Sequence, residues 1–218
     1  MGKVSREQAL EMGAKIQTNI SWGELDSELL QEILRDPIAL GREATRFLQN
    51  CGRVMIVTTD GIVPPQGGRI HIVSVLVDEA RPWKDAVKAV GPNTVREMAM
   101  WQMGEQYPPV IGATPSLRQI ILVNFGKDTR SKDNLAWARA QRMKPISPRA
   151  AFAVSEHCPT LNRDLGFECM TVISLVPCSF VGEQLVVCSW WSRLEREAGH
   201  GWFDDGWNDH SWFGFARE

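Results

Sequence analysis

Two segments near the C-terminus predict β-strands that are apolar on both faces. In residues 185–191, LVVCSWW, apolar side chains occupy both alternating sets of positions, and the same holds for residues 211–217, SWFGFAR. A strand that is apolar on both sides is normally covered on both sides. The fold must therefore place a layer of chain on each face of the sheet. The residues predicted as core are Trp190, Trp191, Trp212, Phe213 and Phe215.

Hydrophobic periodicity places the remaining elements. In the first fifty residues, apolar side chains such as Leu25, Leu29 and Ile33 recur at helical spacing, which predicts N-terminal helices. Further strands are predicted over 54–58, 70–77, 119–125, 169–176, 184–191 and 211–217, and further helices over 83–90, 94–103, 131–143 and 148–157. The order predicts an α+β fold in which N-terminal helices cover a mixed, largely antiparallel sheet, with a C-terminal antiparallel strand group.

One polar segment marks a candidate domain boundary. Residues 126–133, GKDTRSKD, carry no periodicity and are typical of a linker. The segment separates residues 1–126, a helical part plus the first part of the sheet, from residues 127–218, a basic helical pair plus the C-terminal antiparallel strands. The two halves form either two domains or one shared core.

Composition and missing motifs restrict the compartment and the chemistry. No run of 18 apolar residues occurs, and the first residues lack the apolar region of a secretory signal, so we expect a cytoplasmic protein that does not bind membranes. The five cysteines include no CxxC pair, which favours buried, reduced thiols over a zinc site. Walker, GxGxxG and GxSxG motifs are absent from the sequence, which argues against P-loop NTPases, dinucleotide enzymes and common hydrolases. No cofactor is predicted, and a divalent metal is the one alternative left open.

The segment 199–210, GHGWFDDGWNDH, is the first candidate site. Five of the nine tryptophans lie in the last 29 residues, and this segment adds glycines, acids and histidines without a helical or strand period. It is therefore predicted as a loop, and loops carried by rigid strands often hold functional groups. Its candidate divalent-metal ligands or acid/base groups are His200, Asp204, Asp205, Asp209 and His210. The structural alternative is that Asp and Asn form turns, with Trp202 and Trp207 anchoring the loop.

A basic run is the second candidate site. Between residues 127 and 149, seven Lys or Arg face two Asp, a local net charge of +5 in a chain whose net charge is −2. With one tryptophan interleaved, the run has the residue types that contact phosphates and stack on a base. A solvated helix face is the alternative. The candidate nucleic-acid contacts are Lys127, Arg130, Lys132, Trp137, Arg139, Arg142, Lys144 and Arg149.

Three stretches carry a family resemblance. LDSELLQEILRDPIALGREATRFLQNCGR, NLAWARAQRMKPISPRAAFAVSEHCPTLNRDLG and the closing WFGFARE resemble an uncharacterised family of hypothetical bacterial proteins. The resemblance spans most of the chain. It implies no activity, and no catalytic residue is carried over from it.

These observations lead to three functional hypotheses. The first is an intracellular binding protein that contacts a macromolecular partner, with nucleic acid as the candidate, through the basic run or residues 199–210. The second is a metal-dependent hydrolase that uses the His/Asp segment with a divalent cation. The third is a structural subunit of an assembly. The sequence decides neither between enzyme and binding protein nor the oligomeric state.

Overall fold

The fold is described from a computed structural model that covers residues 61–91, 98–192 and 195–217, all within the compact unit Val54–Glu218. The strands are β1 Arg69–Val77, β2 Ser116–Asn124, β3 Thr129–Arg130, β4 Met143–Pro145, β5 Cys169–Ile173, β6 Cys178–Phe180, β7 Glu183–Ser192, β8 Glu195–Trp202, β9 Gly206–Trp207 and β10 Ser211–Arg217. Eight of them form one sheet, in which β1, β2, β10, β5, β7 and β6 follow one another, while β4 joins β10 and β8 joins β7.

The sheet is mixed. Strand β10 runs parallel to β5, whereas the other described pairs of the sheet are antiparallel. Strands β3 and β9 form a separate two-stranded antiparallel pair. Strands β2 and β10, which lie on opposite sides of the predicted boundary at residue 126, are hydrogen-bonded neighbours in one sheet. The sheet-rich α+β class predicted from the sequence is therefore confirmed.

Helices lie between the strands along the chain. They are α1 Trp83–Ala89, α2 Met98–Met103, α3 Ser131–Ala140, α4 Pro148–His157 and α5 Leu161–Asp164. Helix α4 begins where its sequence predicts, because Ser147 Oγ accepts a hydrogen bond from the Ala150 N–H and Pro148 occupies the first helical turn. The predicted N-terminal helices and the predicted strand 54–58 lie outside the described residues.

The core lies on both faces of the sheet, as the two-sided apolar strands predict. On β2, Ile120 and Leu122 pack into one cluster with α4, while Ile121 and Val123 pack into another with residues of α3. A third cluster joins α1 and α2 to β7. The predicted core residues Trp191, Trp212, Phe213 and Phe215 are fully buried, but Trp190 remains 40% exposed.

Two boundary predictions differ from the structure. The segment 126–133, predicted as a linker, contains β3 and the first residues of α3. Strand β8 extends through Trp202 into the segment predicted as a loop. No helix in the described ranges has the length and apolar character needed to span a bilayer.

Candidate functional site

Residues 199–202 belong to a strand because the glycines make room for tryptophan rings. A Cβ at Gly201 would lie 2.7 Å from the Trp207 ring, and one at Gly199 would lie 3.3 Å from the Trp190 ring. Glycine within a strand often marks such a close approach. The loop prediction was wrong for this part, since it treated glycine only as a turn residue.

The rest of the segment is two turns around the short strand β9. Asn208 Oδ1 accepts hydrogen bonds from the His210 N–H and from Ser211 Oγ, so this side chain shapes the second turn. Trp207 donates its indole N–H to Ser131 Oγ at 2.8 Å and packs edge-on against Phe213. Trp207 thus anchors the segment, as the structural alternative predicted. Trp202 is 52% exposed.

The five His and Asp candidates lie at three separate places. His200 is on β8 opposite Val187, Asp204 and Asp205 lie between β8 and β9, and Asp209 and His210 lie between β9 and β10. Asp209 Oδ1 is 3.7 Å from His210 Nε2. Within the part of the chain that the structure describes, no group of three or more His, Cys, Asp or Glu is arranged to hold a metal ion. The metal-dependent hydrolase therefore stays a prediction.

The basic run and the His/Asp segment adjoin each other. Strand β3 pairs with β9, which sets Thr129 opposite Trp207, and Lys132 Nζ lies 3.0 Å from Asp204 Oδ1. Both side chains of this ion pair are exposed, 76% and 67%, so the pair contributes little to stability. The two candidate sites thus form neighbouring parts of one surface.

Six of the predicted cations are exposed. Five of them have no acidic side chain within ion-pair distance among the described residues, and the exception is Lys132. We call these six residues the basic surface: Lys127, Arg130, Lys132, Arg139, Arg142 and Lys144.

Trp137 and Arg149 do not share that exposure. The Trp137 ring is partly buried and lies edge-on to Phe125, with ring centroids 5.5 Å apart, and also contacts Phe215. Arg149 is only 5% exposed, because it belongs to the first turn of α4, which packs against the sheet. A charge count along the sequence cannot distinguish this arginine from the exposed ones.

The cysteine prediction holds for two of the four described thiols. Cys178 and Cys188 are buried, whereas Cys158 is half-buried and Cys169 is exposed; Cys51 lies outside the described residues. Burial raises the pKa of Cys188 and Cys178, and also that of Cys158. These three thiols are thereby held in the protonated form, which is a poor nucleophile.

The structure also brings together polar residues that sequence reasoning missed. Glu79, Arg118 and Ser147 come from three distant segments, yet Arg118 Nη1 and Ser147 Oγ both donate to Glu79 Oε1, at 2.9 and 2.6 Å. No local pattern connects these positions, so only the tertiary structure reveals the group.

Comparisons with known proteins return no match to a family model, to a curated protein or to a solved structure. The resemblance to hypothetical bacterial proteins accordingly stays a prediction.

Proposed function

We propose that this protein binds a polyanionic macromolecule, a nucleic acid, through the basic surface. The main support for this proposal is that most of the exposed cations of the basic surface have no acidic partner in the part of the chain that the structure describes. Five of the six have no acidic partner among the described residues, so their charge is available to phosphates. Each phosphate contact releases counterions, and this release dominates the affinity of such interfaces.

Strand pairing and core packing hold the backbone around these cations in place. Strand β3 pairs with β9, strand β4 pairs with β10, and helix α3 between them buries Ala138 against the core. Only the side chains therefore need to lose freedom on binding, which lowers the entropic cost of association.

The proposed contacts are to the backbone of the nucleic acid. The Trp137 ring packs against Phe125 and Phe215, so we do not expect it to stack on a base. Contacts limited to phosphates carry little sequence information. We therefore expect binding that is strongly salt-dependent and nearly independent of sequence.

The test measures binding of a fluorescent single-stranded oligonucleotide by anisotropy at several salt concentrations. Replacing Arg139, Arg142 and Lys144 with Gln should weaken binding by about tenfold or more and reduce the salt slope by about 2, since each single-strand phosphate contact contributes about 0.7.

The matched control removes three exposed cations elsewhere in the unit. Lys84, Lys88 and Arg163 are exposed and lie outside the basic surface, so their replacement with Gln changes the net charge equally. The control should lose much less affinity. Absence of binding at low salt, or equal losses in both triple variants, contradicts the proposal.

A further inference from the structure

A cleft of about 440 Å³ lies away from the His/Asp segment, at the start of helix α4. Its size is within the range of pockets that hold small molecules. Most of its wall is apolar, formed by side chains that include Tyr107, Pro108, Val110, Ile120, Pro145 and Val176. The cleft is therefore suited to a ligand that has an apolar body.

Arg149 lines this cleft and is a buried cation without a paired carboxylate. Its Nε donates to the Arg81 carbonyl at 2.8 Å, and its Nη1 makes only a long contact of 3.5 Å with the Pro108 carbonyl. Its Nη2 is buried with no hydrogen-bond partner among the described residues. Burial lowers the pKa of Arg149, an effect that the charges of Glu79 and Asp78 oppose.

A guanidinium remains protonated even where it is buried, so Arg149 keeps its charge. An unsatisfied polar group in a protein interior is uncommon and has a cost in stability. The end of the guanidinium formed by Nη1 and Nη2 has one weak contact and one missing contact. A carboxylate bound in the cleft could accept a charge-assisted hydrogen bond from Nη1, whose present contact with the Pro108 carbonyl is long.

The N-terminus of α4 adds to the positive potential at the same place. The first residues of this ten-residue helix, from Pro148 to Ala150, line the cleft together with the capping residue Ser147. The N-terminal end of a helix carries a partial positive charge and favours anions.

The acidic residue that lines the cleft, Glu79, already has hydrogen-bond partners. Glu79 Oε1 accepts hydrogen bonds from Arg118 and from Ser147, and the Arg118 pair offsets its charge. Lys144 lines the cleft as a further cation and is exposed. With three cations and one paired carboxylate, the lining favours a negatively charged ligand.

We propose that this cleft binds a small carboxylic acid with an apolar body, whose carboxylate is held by Arg149 and the N-terminus of α4. The cleft shares Lys144 with the basic surface proposed for nucleic acid, but Arg149 and the N-terminus of α4 lie outside that surface. A carboxylate suits it better than a phosphate, because the cleft supplies few free donors and is otherwise apolar.

The experiment uses two carboxylates, hexanoate and phenylbutyrate, and the matched alcohols hexanol and phenylbutanol. Isothermal titration calorimetry on the full chain should show each carboxylate binding about tenfold or more tightly than its alcohol, the advantage of a charge-assisted hydrogen bond. In Arg149→Met this preference should vanish, while the alcohols bind as before.

Two further variants test the space in the cleft and the effect of removing one charge. Ala216 also lines the cleft, so Ala216→Met should weaken both carboxylate and alcohol binding by filling the space. Arg163 is exposed outside the cleft, so Arg163→Met controls for the loss of one charge and should bind as the wild type does.

Loss of carboxylate preference in Arg149→Met, together with weakened binding in Ala216→Met, supports the site. If Arg149→Met does not fold, Ala216→Met decides alone. The same calorimetry with phenylpropyl phosphate tests for a phosphate ligand. The proposal is overturned if neither carboxylate binds better than its alcohol, or if phenylpropyl phosphate binds more tightly than phenylbutyrate. It is also overturned if Ala216→Met binds the carboxylates and alcohols as the wild type does.

Discussion

The ring of Trp207 lies so close to Gly201 on strand β8 that a Cβ at Gly201 would come within 2.7 Å of it. The ring cannot move away easily, since its indole N–H is bonded to Ser131 and its edge packs on Phe213. The contact connects β8 to the β3–β9 pair. It explains why a strand at this position contains glycine.

This contact predicts a graded response to added methyl groups. Gly201→Ala should lower the free energy of unfolding by about 1–3 kcal/mol, the usual cost of overpacking. Gly199→Ala should cost less, because its Cβ would lie 3.3 Å from the half-exposed Trp190 ring. Gly206→Ala is the control, since nothing lies within 4 Å of its Cβ. Urea unfolding measures all three, and equal losses would contradict the explanation.

The hairpin between β6 and β7 carries a strained residue. Val181 and Gly182 form its two-residue turn with φ angles of 50° and 85°, values typical of a type I′ turn. A β-branched residue rarely adopts a positive φ, and Val181 is 87% exposed, so it gains little from packing.

Val181→Asn should therefore raise the free energy of unfolding by about 1 kcal/mol, because Asn-Gly is the preferred sequence for this turn. Urea unfolding provides the measurement. The control is Val110→Asn, which replaces another exposed valine whose φ is not positive. An equal gain in both variants would show that replacing an exposed apolar side chain, and not the turn conformation, causes the effect.

The partly buried His71 should make the stability of the protein depend on pH. Burial lowers its pKa from the ordinary value of 6.5, an effect only partly opposed by Asp164. Below pH 6.5 the unfolded chain therefore binds a proton more readily than the folded chain does. Stability from this group is present above pH 6.5 and is lost as the pH falls toward the lowered pKa of the folded state.

The corresponding variant is His71→Gln. Urea midpoints at pH 7.5, 6.5 and 5.5 should fall less steeply with acidification in this variant than in the wild type, as expected from proton linkage at about these pH values. Parallel profiles for the two proteins would show that His71 does not contribute.

The thiols predict an order of chemical labelling. Cys169 is exposed, whereas Cys188 is buried and its pKa is raised, so its thiolate is scarce in the folded protein. Iodoacetamide followed by peptide mass spectrometry should find Cys169 modified in the native protein and Cys188 modified only after denaturant is added. Modification of Cys188 as early as that of Cys169 would contradict the burial of Cys188.

Local sequence signals predicted the elements whose cause is itself local. Ser147 and Pro148 mark the start of α4, and the two-sided apolar pattern of residues 211–217 marks β10. Both depend on neighbours along the chain, a cap in one case and alternation in the other. The N-terminal helices predicted in the same way lie outside the described residues.

The candidate site was less predictable because it depends on contacts between distant segments. The sequence does not predict that β8 extends through residues 199–202. The rings that its glycines accommodate, those of Trp190 and Trp207, come from other strands. In the sequence, Arg149 is one more cation of the basic run. In the structure, the packing of α4 buries Arg149, whereas Arg139 and Arg142 remain exposed.

Sequence alone determined that the chain builds a sheet covered on both faces, that α4 starts after Ser147, and that positive charge concentrates between residues 127 and 149. These properties follow from alternation, capping and composition, which are local. Only the tertiary structure decided which cations remain exposed, which one is buried beside a cleft, and why Gly201 has no side chain. Those outcomes depend on the spatial proximity of residues far apart along the chain, which no local pattern records.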